Sequence, residues 1–278
     1  MLVWFNGKLM PRKKVKVDIF DRGFMYGDGV FESLRTYKGE PFMLDEHLKR
    51  LYKAAKILHI KAPDLKGAVL KTLKVNNFRE AYIKIMISRG IASSHGLDAK
   101  NVISKPTVLV IVDELKEYPA VTFSKGWAAI ITKVKRGDTL ADTKTLNYAN
   151  NVLAKIDANE YRANEAIMLT NEGFLAEGTV SNLFFIRNGK LYTPSLKAGI
   201  LKGITRDIVI KLAKKLKIKV IEGSFKAEKL LSADECFITF SGAGIVPIVK
   251  VDGKKIGRGK PGVMTRRLAD SYVSVIRY

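Results

Sequence analysis

The chain has 278 residues, 47% of them hydrophobic and 27% charged, a balance that supports one large or two small domains around a buried core. It excludes a disordered, collagen-like or coiled-coil protein. Lys+Arg 49 against Asp+Glu 27 leaves a formal charge of +22, which would suit nucleic acid, anionic lipid or acidic metabolites, or a lysine-rich surface with no polyanionic partner.

The basic residues (Lys13, Lys49, Lys71, Lys135, Lys214, Lys254) are spread along the chain and form no basic arm, so no nucleic-acid partner is expected. Leu2 to Phe5 reads as a strand and Asn6-Gly7 as a hairpin turn. Leu44, His47, Leu48, Leu51, Ala54, Ala55 and Leu58 recur at helical spacing, and a second helix is expected around Val69 to Leu73. Ala81 to Ser88 alternates, with Tyr82, Lys84, Met86 and Ser88 on one face and Ile83, Ile85 and Ile87 on the other. Thr107 to Val112 is a β-branched strand. The polar stretch Asp113 to Pro119 supplies a linker, and strands are expected again near Val121 and from Ala128 to Val134.

A helix is expected over Asn147 to Ala163 and strands over Ala166 to Thr170, Leu183 to Ile186 and Leu191 to Thr193, the last two joined by Asn188-Gly189. Ile204 to Leu216 reads as a helix closed by Lys211, Lys214 and Lys215. Short strands near Lys219 and Phe237, the Asp252-Gly253 turn and a helix after Pro261 complete the pattern. Strands and helices mix without strict alternation. That predicts an α+β protein of two domains, a smaller one over 1–114, a linker over 115–119 and a larger one over 120–278 that carries Lys144. Cys236 is the only cysteine, so no intrachain disulfide is possible, and with His47, His59 and His95 it offers too few soft ligands for zinc. No apolar run spans a bilayer and the N-terminal stretch lacks a signal pattern, so a cytoplasmic protein with no membrane partner is expected.

Four segments could carry chemistry. Lys144, just ahead of Asn147-Tyr148, could form a Schiff base with an aldehyde cofactor, or be one surface lysine among many. Glu177 lies among small and apolar residues, where a carboxylate needs a partner; a protonated ring nitrogen would serve, and so would a place on a hairpin rim. Gly199 to Asp207 runs as a glycine-bracketed loop into a helix with Thr205 expected as N-cap, which makes either a phosphate site or a well-capped helix. Arg50, in Glu46-His47-Leu48-Lys49-Arg50-Leu51, could clamp a phosphate or face solvent.

Together with Asp21-Arg22-Gly23-Phe24-Met25-Tyr26-Gly27-Asp28-Gly29-Val30-Phe31-Glu32, and taken in order, these segments resemble the fold-type IV pyridoxal-phosphate enzymes, the class IV aminotransferases, over nearly the whole chain. The resemblance implies a pyridoxal 5'-phosphate cofactor. It implies that Lys144 holds it covalently and then shuttles a proton between the substrate Cα and C4′. It implies that Glu177 pairs with the pyridine nitrogen and Tyr148 with the phenolic oxygen. Arg50 and the backbone N–H groups of Ile204 and Thr205 would bind the phosphate. Ser241, in Ser241-Gly242-Ala243-Gly244, would add phosphate and substrate contacts.

Tyr26, Phe31 and Tyr82 match the branched-chain aminotransferase pattern, and Lys84 stands where those enzymes usually carry arginine. Phe31 and Ser93, two residues before His95, differ from the tyrosine and arginine usual in the D-amino-acid aminotransferases. The segment Ser181 to Phe185 and Tyr192 to Leu196 is also similar to the aminodeoxychorismate lyases. The expected activity is transfer of an amino group from a small aliphatic L-amino acid to a 2-oxo acid such as 2-oxoglutarate, in a homodimer.

Overall fold

The computed structural model describes residues 1–136 and 139–276. By its contacts the chain divides into two compact units, 1–116 with 143–147, and 117–142 with 148–278.

In the first unit, β1 (Leu2–Phe5) turns into β2 (Lys8–Pro11) through Asn6 and Gly7, both at positive φ, as a two-residue hairpin requires. Then come α1 (Arg22–Tyr26), β3 (Gly29–Tyr37), β4 (Glu40–Pro41), α2 (Leu44–Ile57), α3 (Lys66–Asn76), β5 (Ala81–Ser88) and β6 (Val108–Glu114). The strands order as β2-β1-β6-β5-β3-β4. Alternation decides the faces. Ile83, Ile85 and Ile87 are fully buried in the core that also takes Leu48 and Leu51 of α2 and Val69 of α3. Tyr82, Lys84 and Met86 stand half-buried on the opposite face.

The segment 143–147 belongs to this unit and not, as the sequence reading has it, to the C-terminal domain. Its backbone is hydrogen-bonded to the start of β3. Phe31 N–H donates to the Lys144 carbonyl at 2.9 Å, Leu146 N–H donates to the Gly29 carbonyl at 2.9 Å, and Thr145 bridges Val30. A Cβ on Gly29 would lie 2.4 Å from the Ile87 carbonyl oxygen and 2.6 Å from Leu146 Cδ1, so only glycine permits this approach.

The second unit holds α4 (Ala120–Lys125), β7 (Trp127–Lys135), α5 (Ala149–Glu160), β8 (Glu165–Leu169), β9 (Leu175–Gly178), β10 (Asn182–Arg187) and β11 (Lys190–Pro194). It continues with α6 (Ile204–Lys215), β12 (Val220–Gly223), α7 (Ala227–Leu231), β13 (Glu235–Phe240), β14 (Gly244–Val251), β15 (Lys254–Lys255) and α8 (Val263–Ile276). The strand expected near Val121 is the helix α4. Pro119 opens it, Gly126 at positive φ ends it, and Val121 is exposed, so no core draws it into a sheet. The sheet path is β12-β11-β10-β13-β14-β7-β8-β9, and β9 pairs back onto β10 at Glu177↔Asn182, which closes the path. Glu177 therefore sits in a strand that borders two others.

Candidate active site

In the first unit, β3 and β5 pair Phe31 with Met86, Ser33 with Lys84 and Arg35 with Tyr82, so Phe31, Tyr82 and Lys84 share one face. Lys144 Nζ lies 4.1 Å from the centroid of the Phe31 ring, and Lys84 Nζ lies 5.1 Å from the same ring. Burial first, and then repulsion from Lys144, hold the Lys84 ammonium below its ordinary pKa of 10.5. Two amines facing one aromatic ring make a place for an acid group beside an apolar chain. Tyr82 donates its hydroxyl to Ser33 Oγ at 2.9 Å.

Tyr26 closes α1, and its hydroxyl accepts from Gly96 N–H at 3.0 Å. The same loop is gripped by Arg22, whose Nη1 and Nη2 each donate at 3.0 Å to the carbonyls of Gly96 and Leu97. Asp28 fixes Arg22 in turn and also receives Arg89. Burial raises the Asp28 carboxyl, but the two guanidiniums together bring it below the usual range.

Arg50 is held by a buried carboxylate. Glu32 alternates to the opposite face of β3 from Phe31, beneath α2, and is fully buried. Arg50 Nε and Nη2 each donate to its carboxylate at 2.8 Å, and His47 Nδ1 lies 3.3 Å from Oε1. Burial pushes the Glu32 carboxyl up, yet Arg50 and His47 together hold it well below the usual carboxylate range. Removing Arg50 alone strands a buried charge. We expect Arg50→Met to lose about 3–5 kcal/mol of stability in urea unfolding, and Glu32→Gln with Arg50→Met to recover most of it. The folded carboxyl titrates below the unfolded value near 4.5, so this stabilisation is full above that pH and is lost as the pH falls beneath it. Glu32→Gln should flatten that acid limb; an unchanged limb would assign it to other groups.

In the second unit, Glu177 is buried and its two oxygens are committed separately. Oε1 accepts Arg136 Nε at 2.9 Å; Oε2 accepts Asn182 Nδ2 and Leu201 N–H, each at 3.1 Å. The turn behind it is held by Glu165, which accepts from Thr179 N–H, Thr179 Oγ1 and Ser181 Oγ. The N-cap of α6 is Gly203 and not Thr205, which is buried in the first turn. A Cβ at Gly203 would fall 2.0 Å from Asn182 Oδ1, which excludes any capping side chain there. The first-turn N–H groups of Ile204 and Thr205 thus have no partner within the helix and no side-chain cap. Tyr148, half-buried, immediately precedes α5, and Ser241 lies in the turn between β13 and β14.

The sequence alone gives Glu32, Arg136 and Asn182 no role of their own. Glu32 carries a readable signal, a charge between Val30 and Leu34 on the apolar phase of a strand. Arg136 carries none, because its partner is 41 residues away. Among the described residues no cluster of His, Cys, Asp and Glu could hold a metal, and no helix is long and apolar enough to cross a membrane.

The second unit holds a buried, oriented carboxylate and an uncapped helix N-terminus, which suit an anionic group; the first holds a half-buried lysine against an aromatic ring, which suits a reactive carbonyl. Residues 29–251 match the family described as Amino-transferase class IV. A Methanocaldococcus jannaschii protein provisionally named branched-chain-amino-acid aminotransferase is 43% identical over 99% of this chain and 96% of its own. The Bacillus subtilis aminodeoxychorismate lyase is 36% identical over 92% and 88%. The branched-chain aminotransferase of the thermophilic archaeon Thermoproteus uzoniensis, crystallised with norvaline, superposes with a TM-score of 0.91 at 32% identity, covering 99% of this chain and 94% of that one. The chain belongs to the class IV aminotransferases, α+β enzymes of fold type IV that depend on pyridoxal phosphate. The second unit's own chemistry fits the cofactor: free N–H groups at α6 suit a phosphate, and the Glu177 carboxylate suits a ring nitrogen.

Proposed function

We propose that this aminotransferase takes the amino group of a small aliphatic L-amino acid and passes it to a 2-oxo acid such as 2-oxoglutarate. The observation that carries this reading is the face on which Phe31, Lys144 and Lys84 meet. The Phe31 ring offers an apolar wall to an aliphatic side chain, and Lys84 offers a cation to a carboxylate. The names of the similar solved structures, branched-chain aminotransferases, support the same substrate class.

When bound, pyridoxal phosphate supplies an aldehyde that an amine can capture and a ring that stores an electron pair. Lys144 Nζ would hold that aldehyde and would serve as the base and acid for the proton at the substrate Cα. Glu177, oriented by Arg136, Asn182 and the Leu201 N–H, would hold a proton on the ring nitrogen. Tyr148 hydrogen-bonds the phenolic oxygen. The N–H groups of Ile204 and Thr205 bind phosphate, with Ser241 adding a hydroxyl. Arg50, oriented by Glu32, adds positive charge for the same anion. Tyr26, Phe31 and Tyr82 shape the space for the donor side chain. The enzyme works as a homodimer in the cytoplasm: the exposed apolar residues Val152, Leu153 and Ile156 of α5 support association, and a single, buried cysteine suits a reducing compartment.

A coupled assay across L- and D-amino donors with 2-oxoglutarate, run beside pyruvate release from aminodeoxychorismate, tests the reading. Highest kcat/KM for leucine, isoleucine or valine supports it; turnover confined to D-donors or to aminodeoxychorismate overturns it. Lys84→Met should raise KM for 2-oxoglutarate by on the order of tenfold with little change for leucine or valine. Equal losses for both substrates would make Lys84 a support of the fold.

A further inference from the structure

We propose that Arg136 is a positioning residue for Glu177, and that its guanidinium limits how strongly this carboxylate holds a proton on the cofactor's ring nitrogen. The inference rests on the reading that Glu177 faces that nitrogen.

Arg136 follows β7 and is itself anchored. Its N–H donates to the Leu169 carbonyl at 2.8 Å, its Nη2 donates to the Ala141 carbonyl, and its side chain is nine-tenths buried. Nε is then left to meet Glu177 Oε1 at 2.9 Å. Asn182 Nδ2, itself held on the Leu201 carbonyl at 2.9 Å, and Leu201 N–H engage the other oxygen. Donors on both oxygens fix the plane of the carboxylate, so its direction is set before any ligand arrives.

The electrostatic consequence is separate from the geometric one. A carboxylate that faces a ring nitrogen with its full charge favours the protonated ring strongly. Here part of that charge already answers a guanidinium in hydrogen-bond contact, in surroundings that screen poorly. Arg136 is a charged side chain in direct hydrogen-bond contact with Glu177, and both are buried. The neighbouring buried carboxylate, Glu165, is taken up by Thr179 and Ser181. Arg136 therefore both aims Glu177 and weakens its pull on the proton.

The test is 15N NMR of holoenzyme loaded with cofactor labelled at the ring nitrogen, read across pH. Arg136→Met leaves Glu177 with its full charge, and the ring should hold its proton on the order of tenfold more tightly than in the wild type. Arg136→Gln, which keeps a donor but no charge, should move the profile in the same direction and carries the test if the methionine variant does not fold. Arg136→Lys should restore the wild-type profile in part. A purely structural role would lower thermal stability in all three variants and leave the nitrogen profile where it was; that result, or a shift toward weaker protonation in Arg136→Gln, which keeps a donor to aim the carboxylate, overturns the proposal. Glu177→Gln separates the two layers. If it too leaves the profile unmoved, the reading of Glu177 fails; if it moves the profile and the neutral Arg136 variants do not, only the role of Arg136 fails.

Discussion

Lys144→Ala should lose transamination altogether, to below about a ten-thousandth of the wild-type rate, because one side chain performs two tasks. On the proposed reading its amine would hold the cofactor and would move the proton at the substrate Cα. The alanine variant should still fold. The backbone bonds that tie its segment to β3, from Phe31 N–H to the Lys144 carbonyl and from Leu146 N–H to the Gly29 carbonyl, do not involve the side chain. The measurement is single-turnover kinetics on folded protein, with circular dichroism as the check on folding. Turnover near wild type would remove Lys144 from the chemistry.

Glu177→Gln should be the next most damaging change. On the proposed reading it removes the charge that would keep the ring nitrogen protonated, and losing one such charge-assisted bond costs about 2–4 kcal/mol of transition-state stabilisation, on the order of 30- to 1000-fold in rate. The structure adds a second cost. Arg136 loses its carboxylate partner and stays buried, so the variant should also unfold at lower temperature. The two are separated by measuring kcat at saturating cofactor well below the unfolding transition. Unchanged kcat in a folded, loaded variant would contradict the role.

Most of the local architecture is legible in the residues because it is governed by short-range rules. The alternation from Ala81 to Ser88 puts three isoleucines into a core and Lys84 onto the face with Phe31. Asn6-Gly7, Asn188-Gly189 and Asp252-Gly253 all adopt positive φ where the chain reverses. What is not legible depends on partners distant in sequence. Thr143 to Asn147 looks like the entry to a helix of the larger domain, yet its backbone bonds go to β3. Glu177 reads as a residue between strands, yet β9 forms around it because β8 and β10 both offer it pairing. Thr205 has the chemistry of an N-cap, but the close approach of Asn182 to Gly203 starts the helix before it.

The site residues divide in the same way. Lys144, Glu177 and the start of α6 are singled out by motif order. Their supports are not: Arg136 reaches Glu177 past the intervening strand β8, and the phase of β3 marks Glu32 as a buried charge without naming Arg50 as its partner. Supporting residues act through a neighbour, so no local pattern requires them to stand at a fixed spacing from the group they hold.

The central claim is that Lys144 is the residue that carries the cofactor. Borohydride reduction of the holoenzyme, followed by proteolysis and mass mapping, tests it most directly, since reduction fixes the cofactor to whichever amine holds it. The account predicts a single modified peptide with the added mass on Lys144. The same mass on Lys84 or any other lysine, or no modified peptide from a cofactor-loaded protein, would contradict it.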